Sequence, residues 1–246
     1  MGLEIALMIV GCLIGVIGIA SLITSAWLAV KYYVYNRKEN SAGLTGEETA
    51  RKILDDNDLQ HIKVKVTGSL LYGNSYSHFF KKVRLRRFTR HKTSLTSLGM
   101  GAQKACLAIL DKENDPDMKK RIKLYPLITF GPFAFIPLIL VGAALDYFMF
   151  NSSGVCVYVL GGIGFLFYVY AVVLSVLTLK TEKKAQERAY EVLQQENLVT
   201  EDELVDLKEL FHLYNIQYIN DIILASLELL YKVLEILIAV KGSSND

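Results

Sequence analysis

The chain has 246 residues, 52% of them hydrophobic, and its 27 Lys/Arg and 25 Asp/Glu leave a net charge of +2. A soluble domain of this size rarely carries that much apolar surface, so composition argues against a purely soluble protein. The excess is gathered into runs, and run length is the informative quantity.

The first run, Ala6 to Val30, has 25 residues and no charge, and ~20 apolar residues suffice to cross a hydrocarbon core. It has no positive n-region and exceeds an h-region of roughly 7–15 residues, which excludes a cleaved signal peptide. Lys31, Arg37 and Lys38 follow as a stop-transfer flank. Residues 1–35 are therefore expected to form an N-terminal transmembrane helix.

Residues 36–123 form a basic segment of 19 Lys/Arg against 10 Asp/Glu, a net of +9. Thr45 with Glu48 three residues on is a capping-box signal that opens a helix to about Asn57. Ile62, Val64 and Val66 alternate with lysines, which predicts a half-buried strand, and Val83 and Leu85 alternate with Arg84 and Arg86 in a second. Leu95, Leu98, Ala102, Cys106 and Leu110 recur at helical steps, predicting a helix from Ser94 to Leu110.

Two more uncharged runs, Leu124 to Leu145 and Val155 to Leu179, predict a transmembrane hairpin over 124–179, with Pro126, Pro132 and Pro137 bending its first arm. Residues 180–215 read as a cytoplasmic helical segment, with a second capping box at Thr200 and Glu203. The last run, Ile216 to Val240, contains Asp221, Glu228, Lys232 and Glu235. Their spacing puts them on one helical stripe, which faces a bundle interior or a partner if this helix spans, and water if it lies at the interface. Residues 216–246 are thus a transmembrane or amphipathic helix.

Charge sets the orientation. The basic segment is placed in the cytoplasm by the positive-inside rule, and the N-terminus, with only Glu4 ahead of the first run, outside. Three cysteines without metal-ligand spacing give neither a disulfide framework nor a zinc finger. The sequon Asn151-Ser152-Ser153 sits in too short a turn to serve, and chance explains it better. Gly11 and Gly15 suit either close helix contact or chance. The stretch from Lys81 to Lys92 holds Lys81, Lys82, Arg84, Arg86, Arg87, Arg90 and Lys92 and no acid. It reads as a contact for anionic headgroups or a partner, or as an ordinary solvated strand edge. No nucleic-acid motif accompanies it.

In order and spacing these pieces resemble the YugP-type membrane zinc metallopeptidases. Ser41-Ala-Gly-Leu-Thr-Gly-Glu-Glu-Thr-Ala-Arg-Lys-Ile-Leu-Asp55 is similar to that family's S-G-L-T-G-x-E-x-A-R-x-I-L-D block. Gly68-Ser69-Leu70, Val83-Arg84-Leu85 and the Ser94–Ala102 lead-in follow, then Glu182, Ala185, Arg188, Ala189 and Val199-Thr200. The resemblance implies a mainly α polytopic membrane protein with about four transmembrane helices and a small α+β cytoplasmic metallopeptidase-like domain.

The resemblance also places a zinc-binding H-E-x-x-H on the helix that starts near Ser94, where two histidines hold the metal and the glutamate activates water. Here those positions read Gln103, Lys104, Ala105, Cys106 and Leu107. Gln103 and Leu107 replace the two ligands, and Lys104 replaces the base. Glu182 stands where the resemblance puts a downstream carboxylate ligand, and Lys104 is positioned to pair with it. One carboxylate falls short of the roughly three protein ligands of a catalytic zinc. His61, His78, His91 and His212 have no ligand spacing, although His78 and His91 flank the second strand.

The expectation is an inactive metallopeptidase-like protein in the cell membrane, without cofactor. It would scaffold or regulate a complex with another membrane protein, an active membrane protease or a second copy of itself. The alternatives are a working zinc peptidase with a non-standard metal site and a channel or transporter subunit.

Overall fold

A computed structural model of the chain describes residues 2–67, 73–125, 131–150 and 154–243. Eight α-helices and three strands follow in the order α1 (Gly2–Tyr35), α2 (Gly46–Asp56), β1 (Lys63–Val66), β2 (Ser75–Ser77), β3 (Lys82–Leu85), α3 (Arg87–His91), α4 (Leu95–Lys112), α5 (Pro116–Leu124), α6 (Gly131–Leu145), α7 (Val155–Gln195) and α8 (Glu201–Ser243). A π-helical turn, Asp146–Phe150, continues α6. Gly68-Ser69-Leu70, Pro126 and the sequon at 151–153 lie outside the described residues.

The chain divides into two compact units. One contains Met1–Ser21, Lys123–Thr178 and Ile219–Asp246; the other contains Leu22–Ile122 and Leu179–Tyr218. The second unit holds a hydrophobic core built from α2, β3, α4 and the latter part of α7, with Ile53, Leu54, Leu85, Leu98, Leu107 and Leu193 fully buried.

Local rules explain its elements. The Thr45 side chain accepts from Glu48 N–H while the Glu48 carboxylate accepts from Thr45 N–H, closing the expected capping box. Ser94 caps α4 by accepting from Ser97 N–H. Three helices end on a left-handed Asp or Asn at positive φ: Asp58 after α2, Asn114 after α4 and Asn197 after α7. At each, the next residue's N–H bonds five residues back, Leu59 to Leu54, Asp115 to Leu110 and Leu198 to Leu193, which satisfies carbonyls that a helix end leaves open.

The sheet order is β1-β3-β2, with β1 parallel and β2 antiparallel to β3. β3 is the central strand: Val83 and Leu85 are fully buried, so Lys82 and Arg84 face the other side.

Of the four spans expected, two helices among the described residues are long and apolar enough to cross a membrane, Gly2–Tyr35 and Val155–Gln195. Among the described residues the run over 124–145 contributes only a shorter apolar helix, Pro137–Met149. In α8 the charges of Asp221, Glu228, Lys232 and Glu235 interrupt any sufficiently apolar stretch. The apolar parts of α1 and α7 are exposed, Leu22 by 72% and Tyr158 by 67%.

Candidate functional site

The site begins with the loop before α2. Asn40 Nδ2 donates to Leu44 O and Thr93 O, Gly43 turns at φ +65, and Ser41 Oγ donates to Glu203 at 2.5 Å. Gly46 then starts α2 hard against its neighbours. A Cβ there would lie 2.2 Å from Thr89 O, and a Cβ on Gly101 of α4 would lie 2.3 Å from Gly46 O. The spacing of the Ser41–Asp55 block thus has a packing cause: two glycines let α2 and α4 approach backbone to backbone.

That approach buries α4. Every residue from Leu95 to Leu110 is buried, Gln103 and Lys104 included. Both turn toward Glu182 of α7, with Lys104 Nζ 2.6 Å and Gln103 Nε2 3.0 Å from its Oε2. Arg121 of α5 closes the other side, donating to Glu182 Oε1 at 3.2 Å and to Thr181 Oγ1 at 2.7 Å. Only 9% of the Lys104 side chain and 18% of the Glu182 side chain are exposed. Burial alone would raise the Glu182 pKa, but the charges and hydrogen bonds of Lys104 and Arg121 hold it below the usual carboxylate range.

This arrangement does not fit zinc. The single carboxylate already accepts from an ammonium, an amide and a guanidinium, and Leu107 is a fully buried core side chain. Cys106 is a fully buried core side chain, and burial pushes its thiol pKa up to about 12. Among the described residues no three His, Cys, Asp or Glu side chains come together as a metal-holding group.

A second polar cluster lies at the far end of α4. Asp111 Oδ2 accepts from Tyr76 Oη at 2.6 Å and lies 2.6 Å from His78 Nδ1, with Lys81 Nζ at 3.6 Å. Burial first, then the hydrogen bond to Asp111, raises the Tyr76 pKa, which keeps the phenol protonated. His91, at the end of α3, is exposed and joins no metal group with His78 among the described residues.

The seven basic residues of 81–92 do not form one patch. Lys81 turns to Asp111, Arg90 pairs with Glu47, and Lys92 donates to Asn36 O. Arg86 and Arg87 are exposed, and Lys82 and Arg84 lie on the outer sheet face. In α8, Asp221, Glu228, Lys232 and Glu235 are all exposed. Asp221 accepts from Ser21 Oγ at 3.5 Å, and Lys232 borders a small pocket with Phe165 and Tyr168.

No motif or periodicity marks Arg121 or Thr181; Arg121 joins the site because its guanidinium reaches Thr181 and Glu182 of α7.

The mainly helical fold with a small sheet agrees with what the resemblance implied, with two long apolar helices among the described residues where about four spans were expected. The family described as "Putative neutral zinc metallopeptidase" matches residues 9–237, so the chain belongs to that zinc-metallopeptidase family. Among its relatives is "Putative membrane protease YugP" of Bacillus subtilis (strain 168), 26% identical over 217 residues that cover 86% of this chain and 91% of that protein. No solved structure matches the chain.

Proposed function

We infer that this family member has lost peptidase chemistry and acts by binding, as a scaffolding or regulatory subunit of a membrane complex. One observation carries the reading: the Lys104 ammonium lies 2.6 Å from Glu182. It stands where the family resemblance puts the general base, and it takes up the carboxylate a metal would need. A unit positive charge about 4 Å from another costs about 4 kcal/mol at an effective dielectric near 20, and a dication feels more. Gly46, Gly101 and both capping boxes keep the surrounding frame packed, so what the reading removes is chemistry and not fold.

The exposed stripe of α8 supports a partner. Leaving an acid such as Glu228 against lipid at mid-span costs at least ~2.5 kcal/mol, which a neighbouring helix relieves. The same proposal places the N-terminus outside and the basic segment in the cytoplasm, supported by the net +9 of residues 36–123. The membrane-protease name of the YugP relative and the two long apolar helices support a membrane location.

Metal analysis and peptide hydrolysis on the purified chain test the chemistry. The expected result is no stoichiometric zinc and no cleavage; tight zinc with chelator-sensitive proteolysis overturns it and establishes the non-standard-site peptidase. Replacing Asp221, Glu228, Lys232 and Glu235 together with leucine should change co-purifying proteins or oligomeric state, and an unchanged complex removes the partner role of the stripe. Ion flux through liposomes is expected to be absent; its presence would favour the channel reading.

A further inference from the structure

The outer face of the small sheet gathers cations that the sequence scatters. The parallel register of β1 on β3 pairs Lys63 with Lys82 and Lys65 with Arg84. Because Val83 and Leu85 point into the core, these four side chains project together from the opposite face. On the other flank, β2 places Ser75 beside Arg84 and Ser77 beside Lys82. Two small hydroxyl residues leave the cations uncovered, and none of the four pairs with a carboxylate among the described residues.

An aromatic side chain completes the face. The β2–β3 turn, tightened by Lys81 at φ +44, carries Phe79 and Phe80, both exposed, Phe80 by 67%. Lys82 Nζ lies 4.5 Å and the Arg84 guanidinium 5.5 Å from the Phe80 ring centroid, so the ring lies among the charges. Phe79 and Phe80 together form an exposed apolar tip rimmed by cations, the pattern of an interaction surface rather than of a single scattered apolar residue.

We propose that this face, Lys63, Lys65, Lys82 and Arg84 around Phe80, docks on the anionic headgroups of the bilayer, with Phe80 entering the interfacial layer. Charge complementarity selects an anionic surface. The exposed ring and the two long apolar helices of the same chain favour lipid over nucleic acid, since an anchored domain meets that surface at high effective concentration. The proposal rests on the membrane location given above and is independent of the loss of catalysis.

The test uses the full chain with Cys12→Ser and Cys156→Ser, carrying an environment-sensitive fluorophore on Ser75→Cys. It is reconstituted in vesicles of phosphatidylcholine, with or without one third phosphatidylserine, each containing a headgroup-nitroxide lipid. Quenching should be at least about two-fold stronger with phosphatidylserine. It should collapse at 1 M salt, where charges are screened within about 3 Å. The variant Lys63→Gln, Lys65→Gln, Lys82→Gln, Arg84→Gln should lose the difference, and Phe80→Ser should weaken quenching while keeping its salt dependence. A circular-dichroism melt of each variant reports folding. Equal quenching in both vesicles, or a folded quadruple variant that still responds, overturns the proposal. So does a single-stranded oligonucleotide that shifts the probe when anionic vesicles do not. Resistance of the chain to an alkaline carbonate wash reports membrane location on its own. If the chain washes out, the same quenching read with vesicles added to it still decides the sheet face.

Discussion

Helix α7 behaves as two different helices joined end to end. From Val155 to Thr178 it is apolar, yet only Gly164 and Leu174 are buried, and Tyr158 and Leu166 are each about two-thirds accessible. From Leu179 to Gln195 it is rich in Lys and Glu, yet Thr181, Ala185, Ala189 and Leu193 are fully buried. In water alone that order is inverted, because burial follows hydrophobicity. The inversion is natural if the first half is solvated by hydrocarbon and the second folds in water. α1 and α4 repeat the contrast, one apolar and exposed, the other buried from Leu95 to Leu110. Hydropathy therefore identifies the medium of a helix, while packing identifies its fold.

Breaking the Glu182 cluster should have the largest effect. Glu182→Gln leaves Lys104 and Arg121 buried without their carboxylate, a loss of about 3–5 kcal/mol. It should appear as a lowered thermal midpoint and faster hydrogen exchange along α4. Leu166→Ala, in the exposed half of the same helix, should stay within about 0.5 kcal/mol. Similar losses at both sites would erase the contrast.

The core of α4 sharpens it next. Leu107→Ala should cost about 2–5 kcal/mol, as a fully buried leucine does, while Leu22→Ala on α1 leaves the melt unchanged. Glycines come third. Gly101→Ala forces a methyl onto Gly46 O and should cost about 1–3 kcal/mol. Gly15→Ala, with nothing within 4 Å of the added Cβ, should be neutral or slightly stabilising through helix propensity.

The smallest effect is in pH. The folded Glu182 pKa is lowered, so its stabilisation is present above the unfolded value, about 4.3, and is lost as pH falls through the folded value. Urea midpoints taken from neutral to acid pH should therefore fall more steeply at the acid end for the natural chain than for Glu182→Gln. Parallel curves would show that this carboxylate does not drive acid sensitivity.

Much of the second unit was legible because its signals are local. Thr45–Glu48 and Ser94 mark helix starts, and Val83 and Leu85 alternate on a strand two residues at a time. Ser75–Ser77 was not legible as a strand, since Ser-Tyr-Ser has no apolar alternation and is held by pairing to β3. The meeting of Lys104 with Glu182 came from a family resemblance, because no periodicity connects residues so far apart. Arg121 was hidden for a different reason: a buried cation and a span-flanking one are the same letter. Lys63 and Lys65 look like a solvated strand face until the parallel register sets them beside Lys82 and Arg84. Two of the four expected spans do not appear as long apolar helices among the described residues: α8 carries the charges that already left it transmembrane or amphipathic, and the 124–145 run contributes the shorter apolar helix Pro137–Met149.

The second unit is assembled from two stretches of chain separated by 56 residues, Lys123 to Thr178. That interruption has a consequence for biosynthesis. While α2 and α4 are being made, Glu182, which neutralises Lys104, and Glu203, which receives Ser41, do not yet exist. At about 5–20 residues per second the ribosome needs roughly 3–11 s to translate the intervening segment. During that interval Lys104 and the face of α4 that α7 later covers wait for partners that only the downstream stretch supplies, so this unit cannot close its core until Leu179–Tyr218 has been made.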